Sequence, residues 1–400
     1  MPRLASEKYC TGCLACHDSC RHDAIRLVHK SGLAYVKVDA DKCVECKSCE
    51  KACPIITPVV RNNVDDMKAY GGWCNVDEYR INGASGGAFA ALALSFFNRF
   101  AGKAVVAGAC LEDNRVRHVL IDKADDIRLL MNSKYIQSDT MCIYRQARQR
   151  LKDGYKVLFS GTPCQIAGLY GYLGRGKGDE NLFTVELVCH GVPGTEALDL
   201  HLKYYHSAKI YSFRDKKEGQ YWYASQRTTI DLNGKPTKIP RTDDVFYRIF
   251  SGWMLDRKSC SNCKFSSLPR VADITLADFW GAHVDEKEFM KGVSLIIANN
   301  AKGNGMVKAS SDFLHKEQTT LMQAIRSNPN IYTGFKFIQW HPIVMFPRFF
   351  KKMLPAKLRL AILTNRNPWR LLWGVYKVLT ILSQRRKFKQ TVKKYKLADR

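Results

Sequence analysis

A cysteine run of fixed spacing occurs twice near the start of this 400-residue chain. Each run reads C-x2-C-x2-C-x3-C, and the two comprise Cys10, Cys13, Cys16 and Cys20, then Cys43, Cys46, Cys49 and Cys53. Thiolates separated by two residues can bind three irons of one 4Fe–4S cube from a short turn, while the fourth ligand comes from elsewhere. The repeat therefore predicts a small module built around two such cubes.

The repeat also predicts which cysteines share a cluster, because the fourth cysteine of each run binds the other cluster in the two-cluster pattern. One cluster would be bound by Cys10, Cys13, Cys16 and Cys53, and the other by Cys43, Cys46, Cys49 and Cys20. The alternative is structural zinc, but zinc sites use CxxC pairs separated by a longer loop. Arg21 replaces the proline that usually follows the fourth cysteine; with His22 it could raise the cluster potential or contact an acidic partner.

Cysteine content and charge narrow the class of protein. Fifteen cysteines, an odd number, with this spacing indicate metal binding in a reducing compartment rather than disulfides. The first residues contain no apolar leader, and no run of about 18 uncharged apolar residues occurs, so we expect a cytoplasmic protein without a spanning helix.

The formal net charge is +26, and 16 of the 63 Lys and Arg residues lie between Arg348 and Arg400, against one acidic residue. This distribution is typical of an appended surface element.

Strands and helices alternate after residue 68, which indicates an α/β domain. Apolar runs predict strands at Ala69–Cys74, Ala104–Ala109, Val116–Ile121, Val157–Ser160, Leu182–Cys189, Tyr221–Leu232, Val271–Ala277 and Val293–Asn299. Helical periodicity predicts Ala88–Phe100, Met141–Lys152, Ile166–Tyr172 and Ala197–Tyr205. The expected fold combines α+β and α/β parts: a ferredoxin-like two-cluster module over residues 1–60, a mixed α/β domain over 68–345 and a basic helical tail over 346–400.

Seven cysteines lie outside the repeat, and four of them form a candidate set. Cys164 and Cys189 lie at the ends of predicted strands near glycine, and Cys260 and Cys263 form a CxxC pair in a loop. Such strand ends are where α/β sheets bind ligands, so these thiols could hold a third cluster or a zinc ion. The alternative for Cys164 and Cys189 is a buried cysteine acting as a small hydrophobe. The others, interpreted as core residues beside apolar runs, are Cys74, Cys110 and Cys142.

Seven short motifs follow one another in a consistent order. They are Ala84–Gly87 (ASGG), Ser133–Ser138 (SKYIQS), Gly161–Gln165 (GTPCQ), Cys189–Gly191 (CHG), Cys260–Cys263 (CSNC), Ala272–Ile274 (ADI) and Ala277–Gly281 (ADFWG). Each motif alone is weak, but the ordered set, with the cysteine repeat before it, resembles the coenzyme F420 hydrogenase/dehydrogenase beta-subunit family, which also includes chlorophyll-reducing flavoproteins. That family more often has glycine where this chain has Ala277, and the basic tail lies outside the resemblance.

The resemblance implies FAD in the α/β domain and a third 4Fe–4S cluster beside it, held by Cys164, Cys189, Cys260 and Cys263. The residues that would contact the flavin are Ser85, Gly86, Gly87, Lys134, Tyr135, Gln137, Ser138, Asp273 and Asp278. Electrons would pass, through FAD, between the clusters and a deazaflavin-like or other small molecule, with a redox partner protein at the far end. The alternatives are a non-catalytic electron-transfer subunit of a larger redox complex and a metal-stabilised binding protein recruited through its tail.

The residues of the predicted flavin site also have simpler explanations. Backbone amides before the helix at Ala88 could surround a diphosphate, or Ser85 could merely cap that helix. No GxGxxG or Walker A motif is present. Lys134 and Tyr135 could contact phosphate or ring, or lie at the surface. His190 is a candidate acid or base by its position only, so the catalytic residues stay unassigned.

The tail contains the pattern of a basic amphipathic helix, residues 369–382 (WRLLWGVYKVLTIL), followed by a segment rich in Lys and Arg. Tryptophans and cations on such a helix suit the surface of an anionic membrane, here its inner face. A helix packed on the protein's own body can carry the same apolar stripe. Nucleic acid is a weaker alternative, and we do not expect it as a partner.

Overall fold

The computed structural model describes the greater part of the chain. The described residues are 1–174, 179–216, 220–241, 243–244, 246–247, 250, 256–326, 328–332 and 386–397. They form an N-terminal module, a large mixed sheet with helices on both faces, and a small antiparallel sheet. This is the mixture of α+β and α/β parts that the sequence predicts.

The N-terminal module consists of a β-hairpin between two short helices, and its backbone repeats as its sequence does. The elements are α1 (Ala15–Ser19), β1 (Ile25–Lys30), β2 (Leu33–Val38) and α2 (Ser48–Ala52), and the two strands pair antiparallel. Leu14 and Lys47 precede the two helices with the same left-handed conformation, φ 58° and ψ 12°. Each therefore turns the chain sharply between the second and third cysteine of its run, as a loop around a cluster requires.

The remaining strands form two sheets. They are β3 (Lys68–Cys74), β4 (Ala104–Glu112), β5 (Arg115–Ile121), β6 (Lys156–Gly161), β7 (Leu182–Leu187), β8 (Ser207–Asp215), β9 (Gln226–Asp231), β10 (Pro236–Pro240), β11 (Ile274–Asp278), β12 (Ser294–Ala298) and β13 (Leu314–Thr319). The large sheet has the order β13-β3-β12-β11-β7-β6-β4-β5, and β11, β7, β6 and β4 run parallel. Strands β8 to β10 form the small antiparallel sheet.

Helices cover both faces of the large sheet. They are α3 (Asp77–Asn82), α4 (Ala88–Arg99), α5 (Ile127–Leu130), α6 (Ile143–Lys152), α7 (Pro163–Tyr172), α8 (Thr195–Tyr204), α9 (Glu286–Lys291), α10 (Ala301–Ala309) and α11 (Leu321–Arg326). Val106 and Leu158 belong to the core under α4 and α10, whereas the adjacent Val105 and Val157 belong to the core under α6 and α7. Neighbouring residues of a strand point to opposite faces, which explains why β4 and β6 are apolar throughout.

The predicted strands and helices are present, with one substantial difference in extent. The predicted strand Tyr221–Leu232 occupies only Gln226–Asp231. The preceding aromatic residues form a turn, in which the Trp222 amide donates to the Met290 carbonyl at 2.9 Å and the indole is fully buried. Aromatic residues favour strands because they pack well on a half-buried surface; here they pack in a turn instead.

The end of the tail packs on the α/β domain. Residues 386–395 are helical, and Leu397 beyond them is fully buried. The Tyr395 hydroxyl donates to the Leu268 carbonyl at 3.0 Å. This part of the tail therefore follows the packed alternative, while the amphipathic segment 369–382 lies outside the described residues. Within the described ranges, no helix has both the length and the apolar character needed to cross a membrane.

Candidate functional site

Three of the sequence motifs meet at one edge of the large sheet. Strands β6, β7 and β11 are parallel, and β7 lies between the other two, so their carboxyl ends lie side by side. Cys164 is the second residue of α7, which follows β6, Cys189 lies just beyond β7, and Asp278 ends β11. Ligands of open α/β sheets bind at this edge.

A cavity of about 530 Å³ lies at this edge and joins the two predicted cofactor sites. Ligand pockets usually measure about 300 to 1,000 Å³. The predicted flavin residues that line it are Ser85, Gly87, Lys134, Tyr135, Gln137, Ser138 and Asp278. The predicted third-cluster residues Cys164, Cys189, Cys260 and Cys263 line the same cavity. Residues from motifs far apart in the sequence thus share one space.

The four cysteines are half-buried near one another. Burial, together with the neighbouring Cys189 and Cys263, raises the pKa of Cys164 to about 12. Burial likewise raises the pKa of Cys189 to about 12, and that of Cys260 rises well above its usual value. These three thiols stay protonated unless a metal stabilises the thiolate. Four neighbouring thiols fit a thiolate-binding group such as a 4Fe–4S cube, which neutralises each charge on its own iron.

Two predicted flavin residues do not line the cavity. The Gly86 amide donates to the Ser294 hydroxyl at 2.9 Å. The buried Asp273 carboxylate accepts from the Thr184 amide and hydroxyl, and from the Asn300 side chain, all at 2.9 Å. Direct flavin contact by these two residues does not fit the structure, because their polar groups fasten the loop and the strand to the fold.

The segment before α4 presents a helix N-terminus without a side-chain cap. The Ser85 hydroxyl donates to the Val293 carbonyl at 2.6 Å, so it does not cap α4. The N-cap residue is Gly87, in the left-handed region at φ 74°. The alternative that Ser85 caps this helix is therefore wrong. A helix end of this kind has backbone amides and a partial positive charge available for an anion.

Cationic side chains line the cavity or contact its lining residues. The Lys134 ammonium donates to two backbone carbonyls at 2.5 and 3.3 Å, and burial lowers its pKa to about 7. The Lys216 ammonium donates to the Ser85 carbonyl at 2.5 Å, and burial together with the nearby Arg214 lowers its pKa to about 7. Burial opposes the charge of Arg214, but its two hydrogen bonds to Asp278, at 3.2 and 3.3 Å, raise its pKa. The sequence indicated Lys134 but not Lys216 or Arg214.

Two histidines line the cavity. His190 is exposed, and its Nδ1 lies 2.6 Å from the Asn330 side-chain nitrogen. His118 was missed by the sequence analysis; its Nδ1 is 2.7 Å from the Ser138 hydroxyl and its Nε2 is 3.0 Å from the Ser160 carbonyl. Burial lowers the pKa of His118 to about 4, so its ring is neutral near pH 7 and Nε2 carries the proton that the carbonyl accepts. A single histidine in strand β5 gave no signal in the sequence.

The ligand crossing stays a prediction, and the structure shows which cysteines of the repeat are neighbours. Burial raises the pKa of Cys16, and so do the neighbouring Cys13, Cys53, Cys10 and Cys49. A separate small cavity is lined by Cys20, Cys43, Cys46 and Cys49. In the part of the chain that the structure describes, no three His, Cys, Asp or Glu side chains are placed to hold a single metal ion. A cube has a different requirement, because each of its thiolates binds a separate iron.

Helix α7 brings two predicted clusters together. Cys164 and Gly168 lie one turn apart on the same face of α7. A Cβ on Gly168 would lie 3.0 Å from the Cys13 sulfur. Burial and neighbouring thiols, Cys164 among them, raise the pKa of Cys13 to about 12. We call the predicted cluster of Cys10, Cys13, Cys16 and Cys53 the proximal cluster, because its ligands adjoin those of the predicted third cluster.

The module is fastened to the α/β domain by buried hydrogen bonds. The Gln137 side chain accepts from the Ala34 amide at 3.1 Å and donates to the Gly12 carbonyl at 3.3 Å. Gln137 lines the cavity. Its polar atoms bond to the module, however, and are not available to a flavin. The Asp18 carboxylate accepts from the Cys142 amide at 2.9 Å, so Cys142 lies at this interface and not in the core.

Comparisons with known proteins agree with these motifs. The family model for the C-terminal region of the beta subunit of coenzyme F420 hydrogenase/dehydrogenase matches residues 154–320, and the 4Fe-4S dicluster domain matches residues 9–55. No curated protein matches the chain. Among solved structures, a chain of the F420-reducing NiFe hydrogenase complex from Methanosarcina barkeri is 16% identical with a TM-score of 0.45, over 70% of this chain and 87% of that one. The protein thus contains a 4Fe–4S dicluster domain at residues 9–55, followed by a region, residues 154–320, that matches the C-terminal region of the coenzyme F420 hydrogenase/dehydrogenase beta subunit.

Proposed function

We propose that the chain is a FAD-dependent iron–sulfur oxidoreductase that passes electrons between 4Fe–4S clusters and a small-molecule donor or acceptor, deazaflavin-like or other. A flavin bound in the cavity would supply the link between two-electron and one-electron chemistry, which the clusters cannot supply alone. The observation that carries the proposal is the shared cavity, lined both by predicted flavin residues and by the four predicted third-cluster cysteines.

The charges at the cavity suit the diphosphate of a dinucleotide. Lys134 lines the cavity, and Lys216 bonds to the carbonyl of Ser85 in its wall. Burial lowers the pKa of both ammonium groups to about 7, and Arg214 contributes to this at Lys216. An anion beside them would favour their charged forms, since opposite charge raises the pKa of an amine. The N-terminus of α4 would add its backbone amides.

Aromatic side chains supply the flat walls that a ring system needs. Tyr135 lines the cavity with its ring centroid 4.6 Å from that of Phe250. Trp280 also lines the cavity, with its ring centroid 4.7 Å from that of the buried Trp222. Most of the surface that lines the cavity is apolar. These walls would exclude water from a bound ring and fix its orientation.

The cysteine groups give electrons a path from the cavity to the surface. Cys164 adjoins Cys13 across α7, so the predicted third and proximal clusters are neighbours. At the other end of the module, Cys46 is exposed, and the side chain of Val44 beside it is 59% exposed. A redox partner protein could approach the second cluster there. Contact of the tail with a membrane surface, a cytoplasmic location and the absence of nucleic acid among the partners stay separate predictions.

The test is cofactor analysis of protein purified without oxygen. We expect one bound flavin per chain and about twelve irons, four for each cube. Lys134→Met should lose most of the flavin and keep its iron, because the variant removes a cation for the diphosphate without touching a cysteine. Lys302→Met is the matched control, since the Lys302 ammonium also donates to two backbone carbonyls, at 2.7 and 3.0 Å, but does not line the cavity.

The outcomes separate the competing functions. A yellow flavin that a small-molecule donor reduces supports the oxidoreductase. Full iron content without flavin, in the unmodified chain, would refute it and favour the electron-transfer subunit. Flavin loss in both lysine variants would show that Lys134 contributes no more to flavin binding than Lys302, which does not line the cavity.

A further inference from the structure

Arg257 connects the module to the loop of the CxxC pair, although no sequence motif includes it. Its side chain is fully buried, and it lies three residues before Cys260. Its Nε donates to the Cys10 carbonyl at 2.7 Å and its Nη2 to the Ala34 carbonyl at 2.6 Å. Its Nη1 donates to the Gln137 side-chain oxygen at 2.9 Å. The guanidinium lies 4.0 Å from the centre of the Tyr35 ring.

The charge of Arg257 is compensated differently from that of the other buried arginines. Arg80, Arg227 and Arg270 each form an ion pair with a carboxylate. Among the residues that the structure describes, no carboxylate pairs with Arg257, and its oxygen acceptors are neutral carbonyls and an amide. A buried charge without an opposite charge is unfavourable, so an anionic group beside the guanidinium would stabilise it.

A cysteine sulfur lies in the position of such a group. The Nη2 of Arg257 is 3.7 Å from the Cys10 sulfur, within hydrogen-bond distance for sulfur. The Arg257 carbonyl also accepts from the Cys260 amide at 2.8 Å. Cys10 belongs to the predicted proximal cluster and Cys260 to the predicted third cluster. Arg257 therefore contacts a predicted ligand of each cluster, one through its guanidinium and one through its backbone.

We propose that Arg257 is a positioning residue that balances the negative charge of the proximal cluster and fixes its place relative to the third cluster. Reduction of a cluster adds one negative charge beside the guanidinium. Because a fixed positive charge and a hydrogen bond to a ligand sulfur both stabilise the reduced form, Arg257 raises the reduction potential of the proximal cluster. Electrons that leave the cavity are thereby drawn toward the module.

The experiment is a redox titration of the full chain, purified without oxygen and followed by electron paramagnetic resonance. In Arg257→Gln we expect the iron content to stay near that of the unmodified chain and one cluster potential to fall. Because the variant loses a charge-assisted hydrogen bond to a ligand sulfur, the reduction equilibrium of that cluster should change about tenfold or more, which is about 59 mV or more for one electron. Arg257→Lys keeps the charge and should shift less.

Arg145→Gln is the matched control. Arg145 also joins the two domains, with donated hydrogen bonds to the carbonyls of His17, Asp18 and Cys20, but no cysteine sulfur is among its hydrogen-bond acceptors in the described structure. Unchanged potentials in Arg257→Gln would overturn the proposal, as would an equal shift in Arg145→Gln. Arg257→Gln could instead lose iron, and the potentials of iron-loaded Arg257→Lys then decide. A fall in one cluster potential, smaller than the one expected for Arg257→Gln, supports the proposal. Loss of iron from both variants would show that Arg257 is purely structural and would overturn the proposal.

This inference rests on the proposed function only for the cluster assignment. The titration needs neither flavin nor substrate. A chain with clusters and no flavin would therefore refute the oxidoreductase while leaving the role of Arg257 open to the same measurement.

Discussion

Two helical glycines provide a sharp test of how closely the module packs on the α/β domain. Gly171 lies near the end of α7, and a Cβ there would stand 2.3 Å from the Ala52 carbonyl oxygen in the module. Gly305 lies in α10, where a Cβ would meet no atom within 4 Å. Alanine at both positions tests the same chemical change with and without a backbone neighbour.

The magnitudes follow from two opposing effects. Alanine stabilises a helix interior relative to glycine by about 0.8 to 1 kcal/mol, and Gly305→Ala should gain up to that amount. Gly171→Ala meets a backbone oxygen that cannot rotate away, and overpacking of this kind costs about 1 to 3 kcal/mol. The two variants should therefore differ in the free energy of unfolding by about 1 to 3 kcal/mol, with Gly171→Ala the less stable.

The assay is thermal loss of cluster absorbance under anaerobic conditions, with limited proteolysis between the module and the α/β domain as a second measurement. For a chain of this size the two midpoints should differ by about 1 to 4 °C, and Gly171→Ala should be cut more readily near residues 57–67. If Gly171→Ala is as stable and as resistant as Gly305→Ala, helix α7 does not pack against the module at this residue. The contact inferred between Cys13 and Cys164 would then lose its support.

Two further predictions concern the cavity. Cys164→Ala should lower the iron content from about twelve to about eight per chain, while Cys74→Ala, in the apolar core, should leave it unchanged; equal iron counts would remove Cys164 from the ligand set. In flavin-depleted protein Lys134 has a pKa of about 7, so it is charged below that pH, and anion binding above it requires proton uptake. FAD affinity should therefore fall by up to tenfold per pH unit above about pH 7, and a titration of Lys134→Met that shows the same slope would contradict this origin.

The sequence was informative wherever the chemistry is local. Three cysteines separated by two residues indicate one shared site, because one turn of backbone brings them to one cube. The left-handed residues Leu14 and Lys47 confirm that both runs turn alike. Strand and helix periodicity also predicted the α/β alternation, since side chains repeat every two residues in a strand and about every 3.6 in a helix.

The sequence was weaker where a side chain has several possible partners. Gln137 belongs to a motif of the predicted flavin site, yet its amide bonds to Gly12 and Ala34 of the module. Ser85, Gly86 and Gly87 were predicted together as flavin residues, but of these three only Ser85 and Gly87 line the cavity. A motif indicates that a segment is near the site, but the path of the backbone decides which of its side chains point inward.

By itself, the amino-acid order determined the two-cluster module, the alternation of strands and helices, and the set of cysteines available for a third cluster. Only the tertiary structure decided that Cys13 and Cys164 are neighbours and that Arg257 lies beside Cys10, a predicted cluster ligand. These contacts join residues more than 90 positions apart, and no local spacing encodes them. They depend on α7 packing against the module, which is a property of the whole fold.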